Sequence, residues 1–191
     1  MQKISNSDST ENSTAAKELS SVSKTPPPVI SIVSKKKAGK TTFIVKLIQE
    51  MKTRGYKVGT LKHDIHNFDI DHEGKDTYKH KQAGSDTVVI SSPWRVAVIK
   101  DVDEEQTVDQ LVASYFMDMD IVITEGYKNA NKPQIEIFRD CAHKCLIYQK
   151  GETSPIIAIA SNVELDMDVP VYNINDIRGI AELIENRFLK N

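Results

Sequence analysis

Ser34-Lys35-Lys36-Lys37-Ala38-Gly39-Lys40-Thr41-Thr42 is the stretch on which the fold turns. Upstream lies Val29-Ile30-Ser31-Ile32-Val33, a short apolar run of the kind that forms a strand buried on both faces. Downstream, Phe43, Ile44, Leu47, Ile48 and Met51 recur at helical spacing over Thr41–Thr53, and Gly55 stops that helix. A phosphate-binding loop asks for Gly, four residues, then Gly-Lys-Ser/Thr between a strand and a helix. Gly39, Lys40 and Thr41 match, while Ser34 stands where the first glycine is expected. Ser34 carries a steric cost if the backbone there needs positive φ. A chance Gly-Lys-Thr at a helix start is the plainer alternative, and the strand–loop–helix setting speaks against it.

Each residue type has a reason to be there. Consecutive backbone N–H groups through Lys36, Lys37 and Ala38 curl round a β-phosphate, and the helix N-terminus adds partial positive charge. Gly39 permits close backbone approach. Lys40 bridges the β- and γ-phosphates and is one of two candidate catalytic residues; the Thr41 hydroxyl reaches Mg²⁺. Lys35, Lys36 and Lys37 make the loop cationic without selecting a nucleotide.

Outward from the loop, further strands are expected at Lys57–Lys62, Asp120–Thr124, Gln134–Phe138, Ile156–Ala160 and Val169–Tyr172. Short helices are expected over Gly74–Ala83 and Val108–Met117, and a closing helix over Ile177–Phe188. Thr87–Ser91 and Arg95–Lys100 flank Ser92-Pro93-Trp94 as a hairpin, either an antiparallel edge or a dimerisation arm. Alternating strands and helices imply an α/β fold, a mostly parallel sheet flanked by helices, with an antiparallel hairpin or edge extension.

The chain has 191 residues, enough for one domain and a tail. Residues 1–28 are rich in Ser and Thr with balanced charge, and read as a disordered tail stiffened at Pro26-Pro27-Pro28. Residues 29–191 are the nucleotide-binding domain. Lys+Arg is 25 against Asp+Glu 27, so no global basic field draws nucleic acid or an anionic membrane. No apolar run approaches the ~18 residues that span a bilayer. Cys141 and Cys145 are the only cysteines, which suits a reducing cytoplasm.

A Mg²⁺-bound phosphate needs a nearby carboxylate, and Asp120 and Glu125 flank one strand. Five steps at ~3.3 Å separate them by ~16 Å. Ligands of open parallel sheets collect at the carboxyl ends of strands. Glu125 is therefore the metal-side candidate, with Thr41, and Asp120 a strand-start residue. The segment Lys62-His63-Asp64-Ile65-His66-Asn67-Phe68-Asp69-Ile70-Asp71-His72 begins at the same edge. Lys62 and Lys75 suit anionic groups; Asp64 or Asp71 suits Mg²⁺-bound water, and Asp64 is the second candidate catalytic residue. A plain solvated loop and a zinc site are the alternatives, though neither His-Glu-x-x-His nor paired cysteines accompany it. Lys128 and Arg139 are either a second phosphate site or surface charge. Asn131-Lys132-Pro133-Gln134 lacks the carboxylate of a guanine-reading motif, and Ser161-Asn162 is better placed beside a base. Cys141-Ala142-His143-Lys144-Cys145 is too tight for a tetrahedral metal site.

Several blocks together resemble the molybdopterin-guanine dinucleotide biosynthesis adapter family, MobB. They are the phosphate loop, Leu61-Lys62-His63-Asp64 with His66 and Asp69, Gly74-Lys75-Asp76-Thr77, Gln82-Ala83-Gly84, Thr124-Glu125-Gly126-Tyr127-Lys128 and Pro133-Gln134-Ile135-Glu136. The resemblance runs from Val29 to the C-terminus and excludes the tail. It implies a P-loop NTPase fold, GTP and Mg²⁺ binding, weak GTPase activity, a homodimer, and assistance to the guanylyltransferase that attaches GMP to molybdopterin. By the same resemblance Gly39, Lys40, Thr41 and Thr42 hold phosphates, Thr41 and Glu125 serve Mg²⁺, and Lys62, His63 and Asp64 line the opposite wall. A small-molecule kinase of the P-loop class is the competing reading. It calls for an arginine-rich lid, and Arg54, Arg95, Arg139, Arg178 and Arg187 are scattered.

Overall fold

The structure, a computed structural model, describes residues 25–64, 68–142 and 145–190. The expected tail up to residue 24, and His66 and His143, lie outside the described residues. In chain order the elements are β1 (Val29–Val33), α1 (Lys40–Thr53), β2 (Val58–Lys62), α2 (Asp76–Gln82), β3 (Thr87–Ser92), β4 (Arg95–Lys100), α3 (Val108–Tyr115), β5 (Ile121–Glu125), β6 (Gln134–Phe138), β7 (Ile156–Ser161), β8 (Val171–Asn173) and α4 (Ile177–Ile184). A wider π-type turn continues α4 over Glu185–Leu189, where the expectation was uninterrupted helix to Phe188. Glu185, buried in that turn, accepts from Arg54 Nη1 at 2.9 Å and from the Tyr56 hydroxyl at 2.9 Å.

Six strands form one parallel sheet in the order β2-β5-β1-β6-β7-β8. Period-2 side chains divide its two faces. On one face Ile30, Ile32, Ile121, Ile123, Ile135 and Ile137 pack under α1 (Phe43, Ile44, Leu47, Met51) and α4 (Ile180, Ala181, Ile184). On the other, Val29 and Val122 meet Val108 and Val112 of α3. Val33, Phe138, Ile156 and Ile159 there meet Tyr148, with Leu146 and Ile147 of an irregular segment beside it. Glu136, on that second face and 1% exposed, accepts the Ile147 and Tyr148 amides at 2.6 and 2.9 Å, which holds the segment down.

The hairpin forms as expected, with Ser92 paired to Arg95, but its strands pair only with each other. It is not an edge of the main sheet. Its β3 strand packs beside α2, and Val88 is the buried residue of that strand. No helix among the described residues is long and apolar enough to cross a membrane.

Candidate functional site

The chain leaves β1 toward β2 on one side of the sheet and leaves β5 toward β6 on the other. The carboxyl ends of β1 and β5 thus mark a switch point, where open α/β sheets bind ligands. Register puts Lys62 opposite Glu125 and Ile32 opposite Glu125, so three strands end level there.

The loop Ser34–Gly39 rises from that edge. Ser34 is not among the positive-φ residues; Lys37 (φ 65°) and Gly39 (φ 88°) take that geometry instead. The steric cost expected at Ser34 does not arise, and Lys37 carries strain of that kind instead. Gly39 is the N-cap of α1 and supplies no side-chain hydrogen bond. The first turn of any helix leaves amides without an intrahelical partner. At α3 and α4 the chain answers them itself: Thr107 accepts from Gln110 N, and Asp176 from Gly179 N. At α1 they remain available to an anion, with the helix dipole behind them.

Ala38 is fully buried, and its carbonyl accepts from Arg139 Nε at 3.1 Å. A Cβ at Gly39 would meet the same Nε at 3.5 Å. Arg139 therefore braces the loop from the end of β6, a use that sequence reasoning missed because no spacing connects the two segments. Lys36, Lys37, Thr41 and Thr42 are exposed on the loop and the helix start. Lys40 Nζ donates to the Ser34 hydroxyl at 2.9 Å, and that hydroxyl donates to the Lys35 carbonyl at 2.6 Å. Partial burial pulls the Lys40 pKa below the usual lysine range; the Glu125 carboxylate opposes this and the Lys128 charge adds to it.

Thr41 Oγ1 donates to Glu125, with oxygens at 3.1 and 3.3 Å. The two expected metal-side residues are thus adjacent. Asp120 accepts from Lys57 N at 2.7 Å at the far end of β5, a strand-start role. Lys62 and Asp64 are exposed at the end of β2, 3.9 Å apart. His63 lies between them; its amide donates to the Glu125 carbonyl at 3.2 Å. Its ring centroid is 4.8 Å from that of Tyr127, and its Nε2 is 3.0 Å from Glu105 Oε1. Glu105 was not foreseen from sequence. Asp71, the alternative to Asp64, is held below the usual carboxylate range by a hydrogen bond with Thr77 and by the His72 amide.

Lys128 follows a sharp turn made by Gly126 (φ 95°) and Tyr127 (φ 55°), and its carbonyl accepts from the buried Gln134 side chain at 2.6 Å. Asn162, expected beside a base, is paired with Asp140: Nδ2 donates to Asp140 Oδ1 at 2.6 Å. The Ser161 hydroxyl donates to the Val163 carbonyl. Lys35 Nζ lies against Cys145 Sγ, and Cys141 and Cys145 are free thiols.

A family model described as "Molybdopterin guanine dinucleotide synthesis protein B", MobB, matches residues 29–162. The chain belongs to the MobB family. It is 33% identical over 167 residues to the Molybdopterin-guanine dinucleotide biosynthesis adapter protein of Escherichia coli K12, covering 84% of this chain and 93% of that one. It is 32% identical to the protein of the same name from Haemophilus influenzae, covering 83% and 88%. A solved structure of a molybdopterin-guanine biosynthesis protein B superposes with TM-score 0.64 at 26% identity over 83% of this chain and 98% of that chain. Bacillus subtilis MobB superposes with TM-score 0.68 at 23% identity, over 86% and 99%, a likeness of fold. The MobB match ends at Asn162, just beyond β7, so it takes in the phosphate loop, the Glu125 turn and Arg139.

Proposed function

We propose that this protein binds GTP with Mg²⁺ at the β1–α1 loop and serves as an adapter in molybdopterin-guanine dinucleotide biosynthesis, assisting the guanylyltransferase that attaches GMP to molybdopterin. The observation that carries the nucleotide part is the α1 N-terminus. Its amides lack a side-chain cap, Lys40 stands beside them, and Thr41 touches Glu125. The adapter part rests on membership of the MobB family and on the names of its relatives.

Lys36, Lys37, Ala38, Gly39, Lys40, Thr41 and Thr42 hold the phosphates, and Lys62 and His63 form the facing wall. Lys40 and Asp64 are the residues assigned to slow hydrolysis. What supports the Mg²⁺ assignment is the chemistry of the donor set: Mg²⁺ takes hard oxygen ligands, and a hydroxyl and a carboxylate lie side by side here, 3.1 Å apart at hydrogen-bond distance. Thr41 and Glu125 would hold the ion, directly or through its waters. When bound, Mg²⁺ neutralises charge on the β- and γ-phosphates. Arg139 engages the Ala38 carbonyl through Nε. The five arginines, Arg54, Arg95, Arg139, Arg178 and Arg187, lie far apart in the sequence, which speaks against the arginine-rich lid of a small-molecule kinase.

A homodimer is part of the same reading. Val89 and Val98 are directly opposed in the hairpin and so share a face, as do Ser91 and Val96. Val89, Val96 and Val98 are all exposed. A second copy of the chain would cover this stripe. The cysteine usage suits a cytoplasmic setting.

Calorimetry with GTP, GDP and ATP in Mg²⁺ tests the nucleotide assignment: GTP binding is expected to be the tightest, and equal or absent binding of all three sinks it. Co-precipitation with the guanylyltransferase, with and without GTP, tests the adapter role, and no capture under either condition counts against it. Val96→Lys with Val98→Lys is expected to turn a dimer into a monomer in sedimentation; a monomeric parent protein removes the dimer from the proposal.

A further inference from the structure

His63 is gripped on two sides. Its Nε2 faces Glu105 Oε1 at 3.0 Å, and its ring lies against Tyr127 with centroids 4.8 Å apart and planes tilted by 35°. Tyr127 is the firmer support, since the Glu105 side chain is 76% exposed. Tyr127 packs on the cluster of Val29, Val108, Val112 and Val122, and its left-handed backbone follows directly from the Glu125–Gly126 turn. Glu105 stands two residues before Thr107, whose reciprocal hydrogen bonds with Gln110 pin the start of α3. The Cβ end of His63 is held as well: its amide donates to the Glu125 carbonyl, and its Cβ lies 3.6 Å from where a Cβ on Gly126 would stand.

A neutral imidazole that donates from Nε2 to a carboxylate keeps Nδ1 as an acceptor, whereas an imidazolium donates from both nitrogens. Nδ1 adjoins Cγ, at the end of the ring nearest the Glu125 turn. An acceptor cannot bind a phosphate oxygen; it binds a group that carries a proton, such as a water or a hydroxyl.

We propose that Glu105 is a positioning residue, which holds the His63 ring against Tyr127 so that, in the neutral ring, Nδ1 offers an acceptor to a water or hydroxyl at the Glu125 edge of the nucleotide site. This rests on the nucleotide reading above. It assigns His63 to the donor groups of the ligand shell and leaves the phosphates to the loop and Lys62. Positioning of this kind acts on the reacting geometry more than on affinity.

The test uses the full chain with Glu105→Ala and Glu105→Gln. Glutamine keeps an acceptor for Nε2–H; alanine does not. Long-range ¹H–¹⁵N spectra of the imidazoles, recorded without nucleotide at about pH 8.5, where a histidine is ordinarily neutral, read the tautomer of His63 directly. One protonated Nε2 and one bare Nδ1 are expected in the parent and Glu105→Gln proteins, and a tautomer mixture in Glu105→Ala. With GTP and Mg²⁺, single-turnover hydrolysis by Glu105→Ala is expected to fall roughly 10- to 100-fold. Glu105→Gln should restore it, with the affinity for a non-hydrolysable GTP analogue little changed in either. Mixed tautomers in a parent protein that binds nucleotide overturn the inference alone. So does affinity that falls as far as the hydrolysis rate, or a Glu105→Ala protein that matches the parent in spectrum and rate. A parent protein that binds no guanine nucleotide, yet shows the single tautomer, sinks the nucleotide reading and leaves the Glu105–His63 clamp standing.

Discussion

The N-termini of α1 and α3 solve one problem in opposite ways. Both helices follow a loop and both expose amides in their first turn. At α3, Thr107 and Gln110 form a reciprocal capping box, at 3.2 and 2.8 Å, which answers the Gln110 and Thr107 amides. At α1 a left-handed glycine stands in the capping place and contributes nothing. A buried third case lies at Glu136, where one carboxylate answers two amides of the 145–151 segment. Side chains cap α3 and α4 and leave α1 and the seven-residue α2 uncapped. What sets α1 apart is therefore the missing cap together with Lys40, Thr41 and Glu125 beside it.

The largest expected effect breaks the α1 side. Lys40→Ala removes a charged donor, each such bond contributing roughly 1.5–3 kcal/mol, so GTP affinity should fall about 10- to 100-fold in calorimetry while thermal unfolding barely moves. A fall in Tm of many degrees would instead make Lys40 structural. Next comes Gly39→Val. Positive φ disfavours any side chain, and a β-branched one most. We expect a loss of about 1–2 kcal/mol in urea unfolding together with weaker nucleotide binding; an unchanged affinity would separate the loop's shape from its function.

The α3 side is broken by Thr107→Ala, which should cost about 1 kcal/mol of stability and leave GTP affinity as it was. Loss of affinity would mean that the two helix ends are coupled. The smallest effect concerns Glu136. Burial raises its folded-state pKa above the usual carboxylate range, against the opposing pull of the Ile147 and Tyr148 amides. The folded protein then holds this proton more tightly than the unfolded chain. The stabilisation is complete below the unfolded value of about 4.3 and is lost as pH rises through the raised folded value. Parent and Glu136→Gln proteins should therefore diverge with pH, the parent gaining relative stability as the solution is acidified through this window. Parallel pH–stability curves would contradict the raised value.

The parallel sheet was legible because its strands are apolar on both faces and its helices are periodic; β6 runs over Gln134–Phe138, as read. The helix over Thr41–Thr53 gained one residue, since Lys40 already has helical geometry once Gly39 has made the turn. The hairpin was legible as a hairpin from Ser92-Pro93-Trp94, but not its placement. Whether a strand pair joins a sheet edge depends on which elements lie beside it after folding, here α2 rather than the main sheet, and that is a tertiary fact. Thr41 and Glu125 could be paired by counting residues along β5. Arg139 on Ala38, and Glu105 on His63, join segments 101 and 42 positions apart in the chain, by subtraction of their residue numbers. No local pattern encodes such pairings, because each depends on where two loops meet after the sheet has formed.

The hydroxyl at position 34 gives the loop a resident. Lys40 Nζ gives one of its three N–H groups to Ser34 at 2.9 Å, so the ammonium has a fixed direction before any anion arrives. The other two donors face the anion without a bond first being broken. A side chain anchored in this way loses less rotamer freedom when the site fills and keeps its place when the site empties.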